Sequence, residues 1–155
     1  MAGVPPLHIN NSMNDWLKIR AVFAGISKIG RKAVISKATI SSHCKWAVEV
    51  AKGPTHLQCF LSGFPLDGST SFSRCAFFKL RLLSQDDCSV LRESSFGRVQ
   101  EFNTNHSSWG RAAFITVEDL MNPYRKFVRD DTIIVEVCIK EFDFIESNDR
   151  GDLTQ

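Results

Sequence analysis

WGRAAFITVEDLMNPYRKFVRDDTIIVEVCIK, from Trp109 to Lys140, holds three consecutive elements whose limits follow from side-chain chemistry. Thr116 is placed to cap a short helix over Val117-Glu118-Asp119-Leu120-Met121. Its two acids fall in the first turn, where the partial positive charge of a helix start favours them. Asn122-Pro123 ends the helix, since proline lacks an N–H and pushes the residue before it out of helical backbone. A strand then runs from Thr132 to Lys140: Ile133, Val135, Val137 and Ile139 point one way, and Ile134, Glu136, Cys138 and Lys140 the other. One face is wholly apolar, so this strand is expected to cover a core.

The same alternation recurs upstream. Cys44, Trp46, Val48 and Val50 alternate with Lys45, Ala47 and Glu49, and the run stops at the loop signal Lys52-Gly53-Pro54. From His56 to Leu61, the residues Leu57, Cys59 and Leu61 share the core side. That leaves Phe60 as an aromatic on the outward face, which asks for a reason. Ser62 to Arg74, rich in Gly, Ser, Pro and Asp, reads as a long loop, and Cys75 to Leu83 as a strand with Phe78, Leu80 and Leu82 inward. Gln85-Asp86-Asp87 marks a tight turn. The less regular stretch Ser89 to Phe102 offers Val90, Phe96, Val99 and Phe102 to the core. Trp16 to Ile35 fits either period; a strand through Leu17 to Phe23, then a short helical or irregular piece around Gly25 to Gly30, agrees best with the β character downstream. Residues 1–14 read as a disordered lead-in, 15–145 as one domain and 146–155 as a flexible tail. The fold class is all-β: an antiparallel β-sandwich of about eight strands with one short helix before the last strand.

Composition sets the outer limits. With 155 residues, 43% hydrophobic and 23% charged, the chain fits one domain with a real core. A net charge of +2 is too small to argue for nucleic acid or membrane as the main partner. The charge is unevenly placed, however: no acid falls between Asp15 and Glu49, while Lys18, Arg20, Lys28, Arg31, Lys32, Lys37 and Lys45 do. That stretch reads as a solvated basic edge, with a phosphate or anionic-membrane surface and an import segment as sharper alternatives. The five cysteines are odd in number and never form C-x-x-C, so neither a zinc site nor a disulfide framework is expected. No apolar run is long enough to span a membrane and no signal peptide is recognisable, which reads as intracellular.

Four pieces in one order carry a family likeness. Lys45-Trp46 followed by Lys52-Gly53 resembles the Y-K-W…K-G passage of the MATH domain, the meprin and TRAF-C homology fold. His56-Leu57-Gln58-Cys59-Phe60-Leu61 is similar to its Y-L-S-L-Y-L strand, and Cys75-Ala76-Phe77-Phe78-Lys79-Leu80 to its A-x-F-x-L strand. Trp109-Gly110, Phe114-Ile115, Asp119-Leu120, Asn122-Pro123 and Asp130-Asp131-Thr132 follow its last passage in order and spacing. The resemblance implies a reader of short, extended, Ser/Thr-containing peptides in a shallow groove beside an edge strand, serving a ubiquitin ligase, a deubiquitinase or a signalling scaffold. Carried over residue by residue, the groove would hold Phe60, Ala76, Gln100, Ser108, Trp109, Gly110, Arg111 and Ala112. Trp109 would stack on the peptide with Phe60 as its partner, and Gly110 would let the peptide backbone approach. Ser108 stands where the family has an acid and Arg111 where it has a second aromatic. The groove is therefore expected either to read a different motif, such as an acidic or phosphorylated one through Arg111, or to have lost peptide binding.

Catalytic chemistry finds no footing. His43 and Cys44 are neighbours on a strand, and adjacent strand residues face opposite sides, so they cannot act as base and nucleophile. Asp130-Asp131 and Asp86-Asp87 are too few oxygens for a hard cation and read as turn formers. The expectation is a protein-interaction module, not an enzyme, with no cofactor, no metal and no small-molecule substrate. Its partners are protein clients, a second copy being an option, in the cytoplasm or nucleus. The alternative is a structural or self-associating sandwich with a dead groove; a basic-surface module on RNA or anionic membrane ranks below it.

Overall fold

The computed structural model describes residues 15–68 and 71–142, so the lead-in and tail assigned from sequence lie outside the described residues. Within them the chain runs β1 (Leu17–Ala24), a 3-10 turn (Ile26–Lys28), β2 (Val34–Ile35), β3 (Thr39–Ile40), β4 (Lys45–Lys52), β5 (His56–Phe64), β6 (Ser73–Leu83), β7 (Val90–Ser95), β8 (Gln100–Asn103), β9 (Ser108–Thr116), α1 (Val117–Met121) and β10 (Thr132–Phe142). Two antiparallel sheets pack as the expected sandwich. Sheet A has the order β1-β10-β6-β7, with β8 also on β6; sheet B has the order β2-β4-β5-β9, with β3 also on β4. The short β2 and β3, and the division of the irregular stretch into β7 and β8, bring the strand count above the expected one.

The apolar stripe of β10 decides the core. Ile133, Val135, Val137 and Ile139 are buried against Trp46, Val48, Val50, Leu57, Cys59 and Leu61 of the facing sheet. Trp46 meets Phe102 edge-on at 4.9 Å, an arrangement aromatic pairs prefer. Its indole N–H donates to Glu141 at 3.0 Å, and Arg74 Nε donates to the other carboxylate oxygen at 2.6 Å. This triad latches the sheets at one end. Thr116 caps α1 as expected, accepting from Asp119 N at 3.1 Å. Asp130 and Asp131 close a two-residue hairpin in left-handed backbone, with φ of 53° and 56°, a conformation Asp tolerates.

The outward stripe of β10 behaves differently from its reading. Glu136 and Cys138 face away from the core yet are buried. Register explains this: Arg20, Glu136, Arg81 and Glu93 line up across β1, β10, β6 and β7. Arg20 Nε lies 2.8 Å and Arg81 Nη1 3.2 Å from Glu136, while Arg81 Nε lies 2.7 Å from Glu93. Long basic side chains thus lie over the strand and cover its acid and thiol. Other corrections are local. Val90 is exposed rather than in the core, because it opens the edge strand β7. The loop after β5 is shorter than read, since β5 continues to Phe64 and β6 begins at Ser73.

Opposite β5, the other side of β4 is covered by an irregular arm. Lys52 N donates to Gly30 O at 2.8 Å, Val34 and Ile35 pair with Val50 and Glu49, and Thr39 and Ile40 pair with Trp46 and Lys45. Between these pairs the chain bulges at residues 31–33 and around Lys37. At the second bulge Val48 N turns to the Ser36 hydroxyl, at 2.9 Å. Basic bulges of this kind blunt an edge against stray strand pairing.

Candidate functional site at the β9 edge

β9 is the outer strand of sheet B and pairs only with β5. Its register sets Leu61 against Trp109, Phe60 against Gly110 and Cys59 against Arg111. Paired residues share a face, and Leu61 and Cys59 are core. Trp109 and Arg111 therefore point toward the space between the sheets, whereas Phe60 and Gly110 point outward. The structure does not bring Phe60 and Trp109 together; they occupy opposite faces of sheet B. Past Arg111 the strand bulges, so that residues 112–114 oppose the single Gln58, and the side chains of Ala112 and Ala113 are exposed.

On the outer face, Phe60 supplies a reason for glycine at 110. A Cβ there would sit 2.5 Å from Phe60 Cα and 2.8 Å from Phe60 Cγ, with the Cys59 carbonyl oxygen closer still. The room left by Gly110 is already filled by Phe60, an aromatic packed over a strand glycine. Beside this pair lies a shallow depression of about 230 Å³, bounded by Ala33, Glu49, Ala51, Gln58, Phe60 and Ser108. The Glu49 carboxylate accepts from the Ser62 hydroxyl at its margin.

On the inner face, side chains stitch β9 to the edge strands of sheet A. Trp109 Nε1 donates to the Glu101 carbonyl at 2.7 Å, and His106 stacks on the indole at 4.1 Å with planes 7° apart. Arg111 donates from Nε to Ser94 Oγ at 3.0 Å and from Nη2 to the Ser95 carbonyl at 2.9 Å, with its guanidinium 4.1 Å from the Phe96 ring centre. From the other strand, Arg92 Nε donates to the Phe114 carbonyl at 2.9 Å. Arg111 thus spends two donors and one face of its plane inside the fold. Ala76 and Gln100 pair with each other in the β6–β8 ladder and are buried, away from any surface groove. His106, Ser94 and Ser95 escaped the sequence reading, because strand alternation says nothing about which edge strand lies across the gap.

The thiols offer no nucleophile in the core: burial pushes Cys44 and Cys59 up to about 12, so both stay protonated. Cys88 alone among the five is exposed. Among the described residues no cluster of His, Cys, Asp and Glu could hold a metal.

A family model of the MATH domain matches residues 17–139, from the start of β1 into the far end of β10. The chain belongs to the MATH domain family. No curated protein matches it. MATH domains are protein-interaction domains, and in this one the strand bearing the Trp-Gly corner forms a sheet edge.

Proposed function

We propose that this MATH domain binds short, extended segments of client proteins along the outer edge of β9, as the recognition part of a ubiquitin-pathway or signalling adaptor in the cytoplasm or nucleus. The observation that carries the reading is an edge strand with strand pairing on one side only and the small, exposed Ala112 and Ala113 along it. Such an edge offers backbone donors and acceptors to an added strand, and small side chains let that strand approach. Phe60 and the depression next to it, rimmed by Gln58 and Ser108, would take one client side chain and supply selectivity. Arg111 and Trp109 act in this reading by holding the edge in place. An acidic or phosphorylated motif read through Arg111 fits less well, given the bonds that Arg111 already makes.

The stacking of His106 on Trp109 favours a second reading, a corner closed to ligands with the domain used as a structural module. A linear-peptide array probed with wild type, Phe60→Ala and Ala112→Glu separates the two. Motif-dependent spots weakened about tenfold by Phe60→Ala and abolished by Ala112→Glu support the groove. An empty array, or spots untouched by both changes, leaves only the structural module.

A further inference from the structure

The bulged arm along β4 combines two features that its sequence alone did not join. Val34, Ile35 and Ile40 are 42%, 54% and 65% exposed, although a sheet edge gains nothing by showing aliphatic side chains to water. Between and beside them stand Arg31, Lys32 and Lys37, all exposed, and none of the three pairs with an acid among the described residues. The nearest acid along the strand ladder is Glu49, opposite Ile35, and its carboxylate is engaged by Ser62. We propose that this arm is a peripheral binding surface for anionic lipid bilayers: Arg31, Lys32 and Lys37 meet the headgroup phosphates, while Ile35 and Ile40, which share the outer face of sheet B, enter the boundary between headgroups and acyl chains.

Three observations select a bilayer over other occupants. A nucleic acid would use the cations but leave the aliphatic side chains in water. An acidic peptide added as a strand would need a continuous backbone edge, and the arm is strand only over Val34–Ile35 and Thr39–Ile40. A second copy of the chain would bring like charges together. A lipid surface asks for neither directional bonds nor a straight edge, and it rewards basic and apolar groups side by side. No helix in the described residues is long and apolar enough to cross a membrane. The arm and β9 form opposite edges of sheet B, and Ala33 of the arm also bounds the depression beside Phe60.

The test is vesicle flotation of the full chain on phosphatidylcholine with and without phosphatidylserine. Wild type should float only with phosphatidylserine and be released by salt. The Arg31→Gln/Lys32→Gln/Lys37→Gln variant should bind at least about tenfold more weakly, and Ile35→Ser/Ile40→Ser should weaken binding as well. Polyuridylate and polyglutamate added to the wild-type mixture need no variant to fold. No flotation on phosphatidylserine vesicles overturns the proposal. So does flotation that polyuridylate displaces and the serine changes leave intact, which would assign the arm to nucleic acid, or the same pattern with polyglutamate, which would assign it to an acidic peptide.

Discussion

Gly110 is the residue on which the outer face of sheet B turns. Its missing side chain makes room for Phe60, and the atoms a methyl group would strike include backbone of β5 that cannot swing aside. Gly110→Ala is therefore expected to cost about 1–3 kcal/mol in chemical denaturation and to lift Phe60 from its place. Gly30→Ala and Gly97→Ala, where an added Cβ meets nothing within 4 Å, serve as controls and should stay within about 0.5 kcal/mol. Equal effects at all three positions would mean that Phe60 does not rest on Gly110. The outward position of Phe60 was legible from alternation, because β5 obeys period two from His56 to Leu61. The company it keeps was not. Cross-strand register placed Gly110, rather than Trp109, beside it.

At the scale of the element, β9 is held by side chains that cross the gap between the sheets to β7 and β8, which leaves its lateral edge open. Arg111 carries the largest share, with two hydrogen bonds and a stacked ring on β7 and the residue after it. Arg111→Leu keeps the packing on Phe96 and removes the bonds, so thermal and chemical unfolding should register a loss of about 1–3 kcal/mol. Affinity for any peptide selected on the array should change little. Unaltered stability with a tenfold loss of affinity would instead make Arg111 a ligand-reading residue. The core-facing stripes of β5, β6 and β10 could be read from sequence, although β5 runs on to Phe64, past Leu61, where its legible alternation ends. The arm at 30–40 could not, because its two bulges break the alternation and its side chains are exposed on both sides. β7 was blurred for a related reason: as an outer strand it buries too little to print a pattern.

Across the whole molecule, Glu141 and Glu136 are the two shielded acids among those whose pKa is held down, and they tie stability to pH. Burial acts to raise the pKa of Glu141, but hydrogen bonds from Trp46 and Arg74 outweigh it and hold the carboxyl below its ordinary 4.5. Glu136 behaves alike: burial opposes, and the guanidinium groups of Arg20 and Arg81 prevail. A folded-state pKa below the unfolded value means that the stabilisation is complete above the unfolded value and lost as pH falls through the folded one. The melting temperature should thus hold steady from neutrality to about pH 5 and drop below it. Glu141→Gln should start lower and fall less steeply, whereas an acid limb identical to wild type would exclude Glu141 as its source.

The sandwich itself was readable because a core must print its periodicity on the strands that line it. Which edge stays open depends on how the two sheets meet, and that appears only in the assembled fold. Amide hydrogen exchange across residues 108–114, with and without the strongest array peptide, tests the β9 edge most directly. Slowed exchange concentrated in β9, with the β1 and β7 edges unchanged, is the expected result; bound peptide that leaves β9 exchange unaltered would contradict strand addition there.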